Sequence, residues 1–65
     1  MKIVLNGAPV EVAAATLDEA LVECGYGGAK VATAVNEAFV AIPDRAAKRL
    51  SDGDRVEVVA PMQGG

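Results

Sequence analysis

The sequence predicts an α+β roll, a mixed sheet of four to five strands with one main helix packed on one face. Three observations carry this expectation. Short alternating or β-branched stretches outnumber helical patterns, and only one stretch combines helical apolar spacing with a strong capping signal. The third is size: 65 residues make one domain at most, and such a chain buries only about 60% of the surface its unfolded form exposes. Apolar residues are 52% and charged residues 23% of the chain, a globular composition rather than a disordered one.

The elements follow in order. Residues 1–6 alternate Met1, Ile3 and Leu5 against Lys2, Val4 and Asn6, and Asn6-Gly7 is a favoured hairpin turn leading to a second strand over 10–12. Thr16-Leu17-Asp18-Glu19 reads as a capping box, because the Thr hydroxyl and the Glu carboxylate can each accept an N–H of the first turn. Leu17, Ala20, Leu21 and Cys24 then have the spacing of a buried helical stripe, with Asp18, Glu19 and Glu23 on the wet side. Gly25 supplies a left-handed stop. Residues 31–36 and 39–42 are the next strands, separated at Asn36-Glu37-Ala38 and ended by Pro43. Residues 44–50 are expected to form a short helical turn with Ala46, Ala47 and Leu50 inward and Arg45, Lys48 and Arg49 outward. After the turn Ser51-Asp52-Gly53-Asp54, residues 55–60 alternate as a last strand, with Val56, Val58 and Ala60 on one face. With the first and last strands central, Ile3, Leu5, Val56 and Val58 meet Leu17 and Leu21 beneath the helix, and Val4 and Val59 face outward as a possible partner patch.

Composition narrows function before any motif does. Six Lys plus Arg against nine Asp plus Glu give a net charge of -3, which argues against nucleic acid as a partner. One cysteine and no histidine leave no intrachain disulfide, no zinc cage and no His general base. The run Ile3-Val4-Leu5 is too short for a signal h-region, and nowhere do 18 apolar residues follow one another. The reading is a cytoplasmic protein without a membrane span.

Individual residue groups offer little chemistry. Gly25-Tyr26-Gly27-Gly28 follows a helix rather than a strand and reads as cap and connector, not as a phosphate loop. Cys24 could relay sulfur, but its place on the apolar stripe favours a core role. Asp52 and Asp54 lack the other ligands of a calcium loop and read as turn residues. Arg45, Lys48 and Arg49 read as a solvated face, with docking of an acidic partner as the alternative.

The informative stretch is Pro61-Met62-Gln63-Gly64-Gly65, which has neither apolar period nor capping signal. Residues 1–60 are read as the folded domain and 61–65 as a flexible C-terminal tail. Five residues can extend roughly 18 Å, and glycines without Cβ atoms can thread a narrow channel. The reactive group would be the α-carboxylate of Gly65, with Gly64, Gln63 and Met62 recognised beside it.

The run Leu50-Ser51-Asp52-Gly53-Asp54-Arg55-Val56-Glu57-Val58-Val59 leading into Pro61-Met62-Gln63-Gly64-Gly65 resembles the ubiquitin-like β-grasp sulfur carriers, most closely the ThiS family of thiamine-biosynthesis carriers. Met1-Lys2-Ile3-Val4-Leu5-Asn6-Gly7 and Val35-Asn36-Glu37-Ala38-Phe39-Val40 fit it too. The Asp-Gly-Asp turn and Gly-Gly ending are shared with the molybdopterin-synthase small subunit, MoaD. The resemblance implies a β-grasp roll and a carrier that is a protein substrate rather than an enzyme. It implies an E1-like, ThiF-like adenylyltransferase that spends Mg-ATP on the Gly65 carboxylate, sulfur derived from cysteine, and delivery of a thiocarboxylate to a ThiG-like thiazole synthase. Sulfur delivery to molybdopterin or another acceptor, and a ubiquitin-like protein modifier, are the alternatives.

Overall fold

The computed structural model describes residues 1–60. Two hairpins flank one strand. β1 (Lys2–Leu5) and β2 (Ala8–Glu11) pair antiparallel, and β3 (Ala32–Val35) and β4 (Ala38–Val40) do the same. Each hairpin turns through two residues with positive φ, Asn6 and Gly7 at 48° and 84°, Asn36 and Glu37 at 50° and 72°. This is the sign pattern of a type I′ turn, whose twist matches that of the strands it joins.

β5 (Arg55–Val59) lies between the hairpins, so the sheet order is β2-β1-β5-β3-β4. It runs parallel to β1, with Leu5 beside Val56, and antiparallel to β3, with Val35 beside the same Val56. The expected meeting of first and last strands at the centre is what the structure shows. This arrangement of a five-stranded mixed sheet with one helix is the β-grasp fold.

Helix α1 (Leu17–Glu23) begins where its capping residues place it. The Thr16 hydroxyl accepts the Glu19 N–H at 3.4 Å, one of the donors the helix itself leaves free, while the Glu19 carboxylate reaches back to accept the N–H of Ala15, just before the cap, at 3.1 Å. Glu23 adds a tie absent from the sequence reading: its carboxylate accepts the N–H groups of Ala13 and Ala14, both at 3.0 Å, and so binds the end of the helix to the connector before it. Leu17, Ala20 and Leu21 pack on Ile3, Val35, Val56 and Val58. Cys24 and Leu5 are half-buried at the margin of this core. Gly25, at φ 93°, ends the helix in the left-handed region.

The segment between β4 and β5 departs from expectation. β4 stops at Val40, before Pro43, and a 3-10 turn over Ile42–Asp44 follows, with Pro43 in its first positions. No helical turn spans 44–50. Ala46 and Ala47 are exposed, not inward, and of the apolar trio only Leu50 is buried. Arg45, expected outward, is buried at 8% exposure, because the loop folds back over the start of β3. Its Nε donates to the Thr33 hydroxyl at 3.1 Å, and its Nη2 donates to the Val31 carbonyl. Local spacing cannot reveal this, since the partners that make burial of a guanidinium tolerable lie more than ten residues away. Ala60 follows the last strand and is exposed rather than on the core face.

No described helix is long and apolar enough to cross a membrane.

Candidate functional site

The four tail residues singled out above, Met62, Gln63, Gly64 and Gly65, lie outside the described residues, as does the boundary assigned to the tail at 61–65. The structure describes the root from which they continue. β5 is held on both sides within the sheet, and Val59, its last residue, pairs with Ala32 of β3. The alternation of β5 turns Val56 and Val58 to the helix and leaves Arg55, Glu57 and Val59 on the uncovered face.

Around Val59 that face is apolar. Ala34 pairs with Phe39, so Phe39 lies on the same side as Ala32, Ala34 and Val59. A shallow groove of about 190 Å³ runs between Phe39, Ala34, Ala32, Glu57 and Val59. A second, of about 530 Å³, continues past Val59 and is lined by Ala29, Lys30, Val31, Ala32 and Ile42. Val59, Phe39 and Ile42 are 62%, 73% and 70% exposed, so three large apolar side chains with no core to serve border two adjoining depressions that share Ala32 and Val59.

Val4 does not join them. It is half-buried on the same sheet face but stands beside Arg55, at the far end of β5. At ~3.3 Å per residue the four steps from Arg55 to Val59 separate it from Val59 by about 13 Å. Val4 instead lines a separate depression of about 180 Å³ with Gly7, Glu37, Arg55, Val56 and Glu57. The outward pair expected from alternation is therefore two places. Phe39 and Ile42, which complete the Val59 patch, were not singled out from sequence. The signal for Phe39 was available: a two-residue turn at Asn36-Glu37 opposes Val35 to Ala38 and sends Phe39 to the face opposite Val40.

The remaining groups are engaged structurally. Asp52 accepts the Lys2 N–H at 2.7 Å. Asp54 accepts the Ser51 N–H at 2.8 Å and the Asn36 amide at 3.0 Å, and these bonds, in that order, hold its carboxyl below the usual range. Among the described residues no group of three or more His, Cys, Asp or Glu side chains could hold a metal ion. Burial, and then the neighbouring Glu23, pushes the Cys24 thiol above its ordinary value, which disfavours the thiolate that sulfur exchange needs. Arg55 and Glu37 form an exposed ion pair at 3.7 Å.

A family model described as the ThiS family matches residues 3–65. The chain belongs to the ThiS family. Among ThiS proteins, the sulfur carrier protein ThiS of Thermus thermophilus is 50% identical over 64 residues, covering 94% of this chain and 95% of that protein. The crystal structure of the thiamine biosynthesis protein ThiS from Geobacter metallireducens is similar over 100% of both chains, with a TM-score of 0.81 at 30% identity. The match to the ThiS model continues through Gly64-Gly65 and is not confined to the sheet.

Proposed function

We propose that the chain is a sulfur carrier for thiamine thiazole synthesis, whose Gly65 carboxylate is adenylated and converted to a thiocarboxylate. The observation that carries this reading is the ThiS match running through the terminal Gly-Gly, on a tail that continues from the central strand beside an exposed apolar patch. A carboxylate is a poor acyl electrophile, so activation must come first. A carboxylate oxygen of Gly65 attacks the α-phosphorus of Mg-ATP held by a ThiF-like adenylyltransferase, and pyrophosphate leaves. Cysteine-derived sulfur, delivered as a persulfide, attacks the acyl carbon and displaces AMP. A thiol then cleaves the resulting acyl disulfide, releasing the thiocarboxylate for a ThiG-like synthase.

In this scheme the carrier contributes no acid, base or metal. It offers a tail narrow enough to enter another protein's active site, and a docking surface. The Val59, Phe39 and Ile42 patch suits sequential partners, because apolar area can be buried and released without stranding a charge.

Intact mass after incubation with the adenylyltransferase, Mg-ATP and a cysteine desulfurase tests the reading. The expected product is heavier by the exchange of one oxygen for sulfur at Gly65. Deleting Gly65, or adding one residue after it, moves the reacting carboxylate by about 3.5 Å and should lower ATP–pyrophosphate exchange at least a hundredfold with unchanged melting. Undiminished exchange in either variant would reject Gly65 as the acceptor, and a mass gain of a whole protein would make the chain a modifier instead.

A further inference from the structure

β5 has neighbours on both sides, yet β1 leaves it early. β1 ends at Leu5, opposite Val56, where the chain turns away at Asn6-Gly7. Val58, two residues further along β5, faces that same side with its N–H and C=O, and a buried central strand does not leave such groups unpaired. The Asn6 side chain fills the place. Its Oδ1 accepts the Val58 N–H at 2.8 Å, and its Nδ2 donates to the Val58 carbonyl at 3.2 Å. Its own backbone N–H donates to the Val56 carbonyl at 2.9 Å. One residue thus carries the parallel ladder a step beyond the end of its strand, with a side-chain amide in place of a peptide group.

The other hairpin contains a matching device. Asn36 donates its N–H to the Arg55 carbonyl at 2.7 Å, and its Oδ1 accepts the Arg55 N–H at 2.9 Å. Because β3 is antiparallel to β5 and β1 is parallel, Asn36 clamps the beginning of β5 and Asn6 clamps its end. The two asparagines share backbone conformation, φ 50° and 48°, and differ in which end of the strand they hold. Only Asn6 holds the end from which the tail continues, with Ala32 pairing Val59 on the opposite side.

We infer that Asn6 is a positioning residue for the tail, keeping the last residues of β5 in the sheet so that the Val59 patch and the terminal carboxylate meet a partner together. This rests on the proposed adenylation of Gly65. A root held on one side only frays, and fraying must be reversed when a partner binds, at an ordering cost that appears in KM. The chemistry of an already bound tail is untouched.

Asn36 provides the control. Asn6→Gly and Asn36→Gly both keep the left-handed turn that glycine tolerates; the first removes the two side-chain bonds to Val58, the second the bond to the Arg55 N–H together with the Asn36 amide's bond to Asp54. Both variants should lose similar melting temperature. In ATP–pyrophosphate exchange with the adenylyltransferase, Asn6→Gly should raise KM for the carrier roughly three- to tenfold with kcat within about twofold, while Asn36→Gly stays within about twofold of wild type in both. Amide exchange at Val58 should accelerate in Asn6→Gly alone. Equal KM for all three proteins, or an equal rise in both variants, would overturn the inference, the second result marking both asparagines as merely structural. Wild-type protein that is never adenylated would overturn the functional reading itself, and with it this one.

Discussion

Arg45 shows how much a single residue can hide from a sequence. Between Asp44 and Ala46, and close to Lys48 and Arg49, it looks like one of a solvated basic group. In the structure it is buried and joins the loop to two points, the Thr33 side chain on β3 and the Val31 carbonyl just before it. The Thr33 hydroxyl in turn donates to the Val40 carbonyl at 3.0 Å, extending the network to β4. Arg45→Met keeps much of the aliphatic volume and removes both bonds, so the buried Thr33 hydroxyl and the half-buried Val31 carbonyl each lose a donor. The expected cost is about 2–3 kcal/mol in urea denaturation, because bonds from a charged donor to acceptors largely withdrawn from water exceed the usual net value. An unchanged midpoint would show that the guanidinium contributes no more than a surface arginine. Asn6 was legible as a turn residue in the same way that Arg45 was legible as a cation. What each side chain does depends on residues far along the chain, which periodicity does not report.

Among the elements, those governed by local chemistry were readable and those governed by tertiary contact were not. The first hairpin and the helix start follow from residues within four positions of one another, and the break expected at Asn36-Glu37-Ala38 falls where the second hairpin turns, with Ala38 already in β4. The stretch 42–50 has no such internal logic and takes its shape from the strands it covers. Local chemistry also makes the caps titrate. The amides of Ala15 and Thr16, with the Thr16 hydroxyl, hold Glu19 below its ordinary value, and Ser51 and Asn36 do the same for Asp54. Both carboxyls are depressed in the folded state, so in acid the unfolded chain binds more protons. The stability they provide is fully present above the ordinary carboxylate range and is lost as pH falls through the folded values. Wild-type melting temperature should therefore drop between about pH 5 and pH 3. The double variant Glu19→Gln with Asp54→Asn should melt lower than wild type at neutral pH, with the gap closing in acid. A gap of constant size across that window would exclude these two groups as its source.

On the scale of the whole molecule, the sheet has one face covered by α1 and one bearing the Val59 patch. Alternation alone assigned Val59 to the open face correctly. It could not say which other residues stand near it, because that depends on strand order and register. The placement makes a distinction that can be measured. Val59→Asp and Phe39→Asp should each weaken binding to a ThiG-like synthase roughly tenfold in calorimetric titration, with melting little changed, since each would bury a charge without a partner. Val4→Asp, about 13 Å away by strand spacing, should weaken it less. Equal losses at all three positions would mean a footprint spanning the whole face, and no loss at Val59 or Phe39 would remove the patch as a contact.

The position of β5 also bears on how the molecule comes to exist. Until Arg55–Val59 has been synthesised, the β1–β2 and β3–β4 hairpins have no strand in common and the helix lacks Val56 and Val58, the middle of its floor. The pairings that unite them join residues about fifty positions apart along the β1 side, contacts of the kind that close late and slowly. The strand that completes the core is the one from which the tail extends. A half-made or misfolded chain therefore lacks the ordered root and the assembled patch on which the proposed partners depend, and the same keystone that finishes the fold makes finished molecules distinguishable to them.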